Sequence, residues 1–415
     1  MFIACMRLGE VDVQRSHDFK ILFLNQVTGP LFRQLVVRLS SEWKPCLLYT
    51  GGPLADVFVD TQNLIIREAP AYDRTNTWTR LSSWMSYFLS AIPVISRSPS
   101  STMLFFVSNP PFIGVLGWVM NLLRKQKYIV LIYDIYPDLL IGMGRVKIGL
   151  LSRMWDLMNR LILRRASLVI TIAEDMADLV ESKYRLSKFG SGRIEVIPNW
   201  ADIEQISPMA KKDNYFATEH GQVDKFTVLY SGNMGNTHDM DILIEAAKRL
   251  KLDSRIHFLF IGSGTKYSDI EENIRSYDLN NVTLLPFQPE NILPYSLASG
   301  DIGVVAYQAG TEGCILPSKA YYYMAAGLAL FVISSQETSL GKMVVEKECG
   351  YVLKNSDVDG LVQTIRALSH DKMLLSEYKR KARNVAEEMF SQCNLDLYVE
   401  ALKPVISKLK QENMP

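Results

Sequence analysis

The stretch EGCILPSKAYYYMAAG, Glu312–Gly327, sets a lysine where a phosphate could bind. Pro317 fits the entry to a helix, Ser318 is of the N-capping type and Gly327 fits the stop, so a helix opening at about Ser318 is expected. Lys319 then projects from the first turn, beside backbone N–H groups that lack a partner inside the helix. A cation there opposes the helix dipole, and an anion at the same place would remove the conflict. The alternative is a solvated surface lysine. A second stretch, SGNMGNTHD at Ser231–Asp239, follows an apolar run and contains two glycines that permit a tight turn. His238 could donate there to a diphosphate lying at the start of the next helix. The same residues equally describe a plain strand-to-helix turn with Asp239 as N-cap.

Other motifs carry less. The GSG at Gly262–Gly264 lacks the third glycine of a dinucleotide fingerprint and reads as turn geometry. Asp357–Asp359 and Asp239–Asp241 have the spacing of metal-binding acid pairs. The first looks like a helix start and the second lies in the helix after the Ser231–Asp239 stretch, so no metal is expected at either. No two acids show the defined separation that a glycoside hydrolase needs.

The elements that must position these residues are legible as alternation. KILFLN, CLLY, MLFFVS, IVLIYD, SLVITI and IEVIP, between Lys20 and Pro198, are short continuous apolar runs, the mark of buried parallel strands. Helical stretches such as Val146–Arg165 and Glu174–Tyr184 separate them. The pattern restarts with strands expected at Phe226–Gly232, His257–Gly264, Val282–Phe287, Ile302–Tyr307, Ala329–Ser334 and Gly350–Leu353. Helices are expected between these at Asp239–Leu250, Lys266–Tyr277, Ser318–Ala326 and Asp359–Leu368, with two more at Leu374–Met389 and Leu395–Gln411. The polar stretch Ala201–Lys225 is the linker candidate. The fold class is therefore α/β, with two tandem Rossmann-like domains facing a central cleft. The first spans residues 1–205 and the second 206–394; one can hold a donor and the other an acceptor. Ligands of open parallel sheets bind outside the carboxyl ends of the strands, so the loops there should carry the chemistry.

Bulk properties narrow the classes. The 415 residues are 48% hydrophobic and 21% charged, with net charge +1, which suits a globular chain and does not point to nucleic acid. The five cysteines, Cys5, Cys46, Cys314, Cys349 and Cys393, form no CxxC pair and suit a reducing compartment. The start MFIACMRLGE does not read as a signal peptide, and the apolar runs fall short of a spanning helix. Three segments, Thr77–Ser98, Phe112–Tyr128 and Val146–Arg165, mix aromatic, apolar and basic residues. They suit helices in a membrane interface or helices packed on a sheet; their number favours a peripheral contact.

At these motifs the chain resembles the family-4 retaining glycosyltransferases, in the bacterial branch that builds O-antigen, capsule and exopolysaccharide. The resemblance is carried by LYSGNMGNTHDMDILIEAA, FLFIGSG, NVTLLPFQP, LPSKAYYYMAAG and VIPNWAD, with SNPPF and YDIYPD in the first half. It implies a GT-B fold and transfer of a sugar from a nucleoside-diphosphate sugar, UDP-linked by family habit, to a saccharide acceptor. A lipid-diphosphate-linked acceptor at the inner face of the cytoplasmic membrane would explain the amphipathic segments. The implied protein is cytoplasmic, peripherally bound to that membrane, and uses neither cofactor nor metal.

Residue by residue, Gly29 in the first βα loop falls near the donor diphosphate, as do Gly232, Asn233 and His238. Phe287 and Gln288 fall on the nucleobase. Pro317, Ser318 and Lys319 form the PSK variant, with Lys319 expected on the diphosphate. The two glutamates of the family's E-x7-E pattern are replaced by Cys314 and Tyr322, the second at the ribose. Glu312, two places early, is the candidate to replace the lost carboxylate. Asp134 stands where relatives place a histidine; it either positions the acceptor or ends a strand without further role. The resemblance also lets the final helix, 395–415, pack back onto the first domain. Two other classes stay open: a non-catalytic nucleotide-sugar-binding partner subunit, which the lost glutamates favour, and a nucleotide-sugar epimerase on the same scaffold.

Overall fold

The computed structural model describes residues 19–52, 64–73, 75–186 and 193–412. Cys5, the MFIACMRLGE start and the last three residues of the 395–415 segment lie outside them. The strands are β1 (Ile21–Leu24), β2 (Cys46–Thr50), β3 (Leu64–Glu68), β4 (Met103–Val107), β5 (Tyr128–Ile132), β6 (Leu168–Thr171) and β7 (Ile194–Val196). A second set follows as β8 (Phe226–Asn233), β9 (Ile256–Ser263), β10 (Val282–Leu285), β11 (Ile302–Ala306), β12 (Ala329–Ile333) and β13 (Gly350–Leu353).

The first set forms a sheet in the order β3-β2-β1-β4-β5-β6-β7 and the second in the order β10-β9-β8-β11-β12-β13. The described pairings are parallel, for example Ile21↔Cys46 and Phe226↔Ile256. Each order runs outward from a first strand and then reverses, the doubly wound arrangement of Rossmann-like domains. The central strands are wholly buried because helices cover both faces, which is why they read as unbroken apolar runs. By compactness one unit gathers the described residues up to Leu131 with Arg165–Leu168 and those from Leu402 on; the other gathers the described residues of 132–164 and 169–401.

Every strand expected from the sequence is present. β3, LIIRE, was not expected: it is an edge strand with one buried residue and a charged end, so no apolar run announces it. The polar stretch Ala201–Lys225 holds a short helix, Tyr215–Glu219, whose cap Asn214 accepts from the N–H groups of Phe216 and Ala217. The helix expected to open at Ser318 spans Lys319–Ala325. Gly327, at φ +70°, ends it: the N–H groups of Gly327 and Leu328 return to the carbonyls of Met324 and Tyr323.

Candidate functional site

The second sheet reverses direction between β8 and β11, which pair at Val228↔Ile302 and Leu229↔Gly303. Beyond the carboxyl ends of its strands lies a cavity of about 330 Å³, within the size range of small-ligand sites. Gly232, Asn233, His238, Phe287, Gln288, Pro317, Ser318, Lys319 and Tyr322 line it. Nine sequence-selected residues from three separate loops thus share one cavity, all within the second compact unit.

Lys319 dominates the electrostatics. It is not a solvated surface lysine: only 8% of it is exposed. Its Nζ has no hydrogen-bond partner and sits 3.6 Å from the centre of the Tyr230 ring. A cation over an aromatic face gains some attraction, but that does not replace the lost hydration. Burial accordingly holds the ammonium well below its ordinary pKa. The backbone leaves room for it at Gly232, which has φ +140° and where a Cβ would stand 3.4 Å from Nζ.

The helix start contributes less than the sequence suggested. Ser318 occupies the cap position but makes no side-chain capping hydrogen bond. The N–H groups of Ala320 and Tyr321 return to the carbonyls of Pro317 and Ser318. The first turn is therefore largely closed on itself, and attraction for an anion rests on the Lys319 ammonium.

His238 is 6% exposed, and its Nδ1 lies 3.3 Å from the carbonyl oxygen of Ala306. A carbonyl only accepts, so Nδ1 carries the hydrogen and Nε2 of the neutral ring is an acceptor. Burial first, and the nearby Lys319 charge second, hold this histidine well below its ordinary pKa. It can donate from Nε2 only after taking up a proton, which alters the simple donor role expected for it. Asp239 does serve the turn: one carboxylate oxygen accepts from Ile242 N–H at 3.3 Å and the other from Asn355 at 2.8 Å. Lys266, the other nearby cation, is engaged by the His238 carbonyl at 3.0 Å.

The loop at β8 is held by contacts the sequence did not signal. Tyr323 Oη accepts from Ser231 N–H at 2.7 Å and lies 3.2 Å from its carbonyl, tying the Lys319 helix to the strand end. Tyr230 Oη donates to the Asn233 carbonyl at 2.7 Å. Both tyrosines sit in apolar runs, where an aromatic reads as core; only the hydroxyl hints at a partner. Gly262, read as turn geometry, has a firmer reason: a Cβ there would lie 1.9 Å from the Gly232 carbonyl oxygen. Glu290, Leu293 and Ser296 also line the cavity and were not selected.

Three selected residues are not brought to this cavity. Glu312 does not line it; its carboxylate accepts from Gly310 N–H at 2.6 Å and from both the N–H and hydroxyl of Ser335. The carboxylate expected near the donor sugar is therefore spent on Gly310 of its own loop and on Ser335 just past the next strand. Asp134 lies just past β5, in an isolated antiparallel bridge with Ile315, while Ile135 N–H donates to the Cys314 carbonyl. Gly29 is the N-cap residue of the helix Pro30–Glu42, in the first unit. Cys314 is buried, and burial pushes its thiol up to about 12, so a neutral group stands at the first E-x7-E position.

The two acid pairs have local duties. Asp357 caps the helix Val358–His370, and Asp359 pairs with Arg249 at 2.5 Å. Among the described residues no group of three or more His, Cys, Asp or Glu side chains could hold a metal ion.

Residues 211–385 match the family of glycosyl transferases group 1, and residues 32–200 match the glycosyl transferase 4-like domain. The chain is 22% identical over 330 residues to the glycosyltransferase WbjE of Pseudomonas aeruginosa, covering 78% of this chain and 80% of that one. It is 26% identical over 287 residues to WcaI of Escherichia coli K12, named as a colanic acid biosynthesis glycosyl transferase, covering 66% and 68% respectively. The fold is similar to that of Anabaena HepE, solved with UDP and glucose, at TM-score 0.70 and 14% identity over 93% of this chain and 100% of that one. The chain belongs to the family-4 glycosyltransferases of GT-B fold, in the bacterial polysaccharide branch.

Proposed function

We propose that the protein transfers a sugar, with retention at the anomeric carbon, from a UDP-sugar to a lipid-diphosphate-linked saccharide at the inner face of the cytoplasmic membrane. The observation that carries the donor side is Lys319, a buried ammonium without a hydrogen-bond partner on the wall of a ligand-sized cavity. A diphosphate there supplies the missing counter-charge. Phe287 and Gln288 on the same wall suit the base, and the UDP in HepE supports uracil. As the glycosidic bond breaks, negative charge grows on the leaving diphosphate, and a fixed cation stabilises that state more than the ground state. On this reading the protein supplies the counter-charge itself and no divalent metal is required. Retained activity in EDTA is expected; loss that Mg²⁺ or Mn²⁺ restores would overturn that part.

The direct test is UDP release from UDP-sugars in the presence of membrane extract, for the wild-type protein and Lys319→Ala. Release that needs extract and disappears in the variant supports transfer. Binding of UDP without any acceptor-dependent release favours the second reading, a nucleotide-sugar-binding partner subunit. That reading draws on the buried thiol of Cys314 and the engaged carboxylate of Glu312.

A further inference from the structure

The helix Leu150–Arg165 turns an apolar stripe to solvent. Leu150 and Leu151 are 76% and 80% exposed, Met154 58%, Leu157 55% and Leu161 42%, with Ile148 just before the helix at 76%. The spacing of Leu150, Met154, Leu157 and Leu161 puts them on one face, while Ser152, Ile162 and Leu163 form the buried face. Within the 16-residue helix the stripe runs from Leu150 to Leu161, roughly 17 Å at 1.5 Å per residue. Among the described residues no element covers it.

Charge decides what fits. Between residues 145 and 164 stand Arg145, Lys147, Arg153, Arg160 and Arg164 against a single acid, Asp156. Asp156 is itself paired with Lys183 at 2.7 Å. Arg153, Arg160 and Arg164 fall along one flank of the stripe, where their stems can lie on apolar surface and their guanidinium groups reach outward. An apolar strip with a basic border matches a surface whose interior is hydrocarbon and whose rim is anionic. We infer that this helix docks the protein on an anionic lipid bilayer, lying in the interface plane with the leucine stripe inserted. The inference deepens the proposed function, resting on it for the purpose of the contact, since a lipid-linked acceptor must be met at a membrane. No helix among the described residues is long and apolar enough to cross one. A second outward stripe, Trp78, Leu81, Met85, Leu89 and Ile92, lies on the helix Thr77–Arg97.

The test is flotation of the full-length protein with phosphatidylcholine vesicles, with and without phosphatidylglycerol. Wild type is expected to float with the anionic vesicles and to be released at high salt. Two variants, Leu150→Ser/Leu151→Ser/Leu157→Ser and Arg153→Glu/Arg160→Glu/Arg164→Glu, should each bind on the order of tenfold less or weaker still. Both sets of side chains are on the surface, so both variants should melt like wild type and show the same thermal shift with UDP. Wild type left unbound at low salt overturns the inference. Variants that float as well as wild type also overturn it, and assign any contact to another element such as Thr77–Arg97. Ultracentrifugation without vesicles covers the remaining occupant: a wild-type dimer that the leucine variant dissociates makes the stripe a contact between copies and overturns the membrane reading. Failure of UDP binding with flotation intact would sink the donor reading alone.

Discussion

At the scale of single residues, one ammonium accounts for most of what is distinctive. An unpartnered buried donor costs about 1–3 kcal/mol and a charged one more, so Lys319 strains the fold it sits in. Lys319→Met should therefore leave stability unchanged or raise it by about 1–3 kcal/mol in urea denaturation, while UDP binding by calorimetry weakens at least about tenfold. A variant that loses stability would mean that its contact with Tyr230 outweighs its desolvation. The histidines predict an acid limb. His238 lies well below its ordinary pKa and burial pushes His257 down to about 4, so the unfolded chain binds protons that the folded chain refuses. Stability from both is complete above about 6.5, the unfolded histidine value, and declines as pH falls from there toward 4. Melting temperature should fall across that window, and less steeply in His257→Gln. Equal slopes would rule out His257 as a contributor.

At the scale of elements, the site is a strand end and a short helix pinned together by a hydroxyl. Tyr323→Phe removes the acceptor for Ser231 N–H and should cost about 1–2 kcal/mol in denaturation. Because it frees the turn beside Gly232, it should also raise the Kd for UDP more than a tyrosine elsewhere in the core would, measured against Tyr398→Phe. Most of this architecture was legible. Buried parallel strands advertise themselves as apolar runs, and Pro317 with Gly327 bracketed the helix to within a residue or two. The residues that failed did so for local reasons. β3 is an edge, so its pattern is half polar. Glu312 looked free in the sequence, yet its hydrogen bonds come partly from Ser335, 23 residues away. The tyrosine clamp was silent because a buried aromatic has the same apolar signature whether or not its hydroxyl is used. Lys319 was found, but for a reason the structure weakens: the helix start is closed, and burial is what makes the cation want an anion.

At the scale of the molecule, the donor cavity is built wholly within one of two compact units. Hydrogen exchange with saturating UDP should therefore protect Ser231–Asn233 and Lys319–Tyr323 first, with little change in β1–β4. Equal protection of both regions would contradict a donor site confined to the second unit. Ligand at a hundred times its Kd should add about 2.7 kcal/mol to overall stability. The exposed leucine stripe has a further, practical effect. A molecule carrying water-facing apolar side chains along one helix is surface-active at any boundary between polar and apolar phases, including that between buffer and air. In thin vitrified films the particles should crowd at that boundary and show a narrow set of views. A trace of detergent, or the three-leucine variant, should restore the missing orientations.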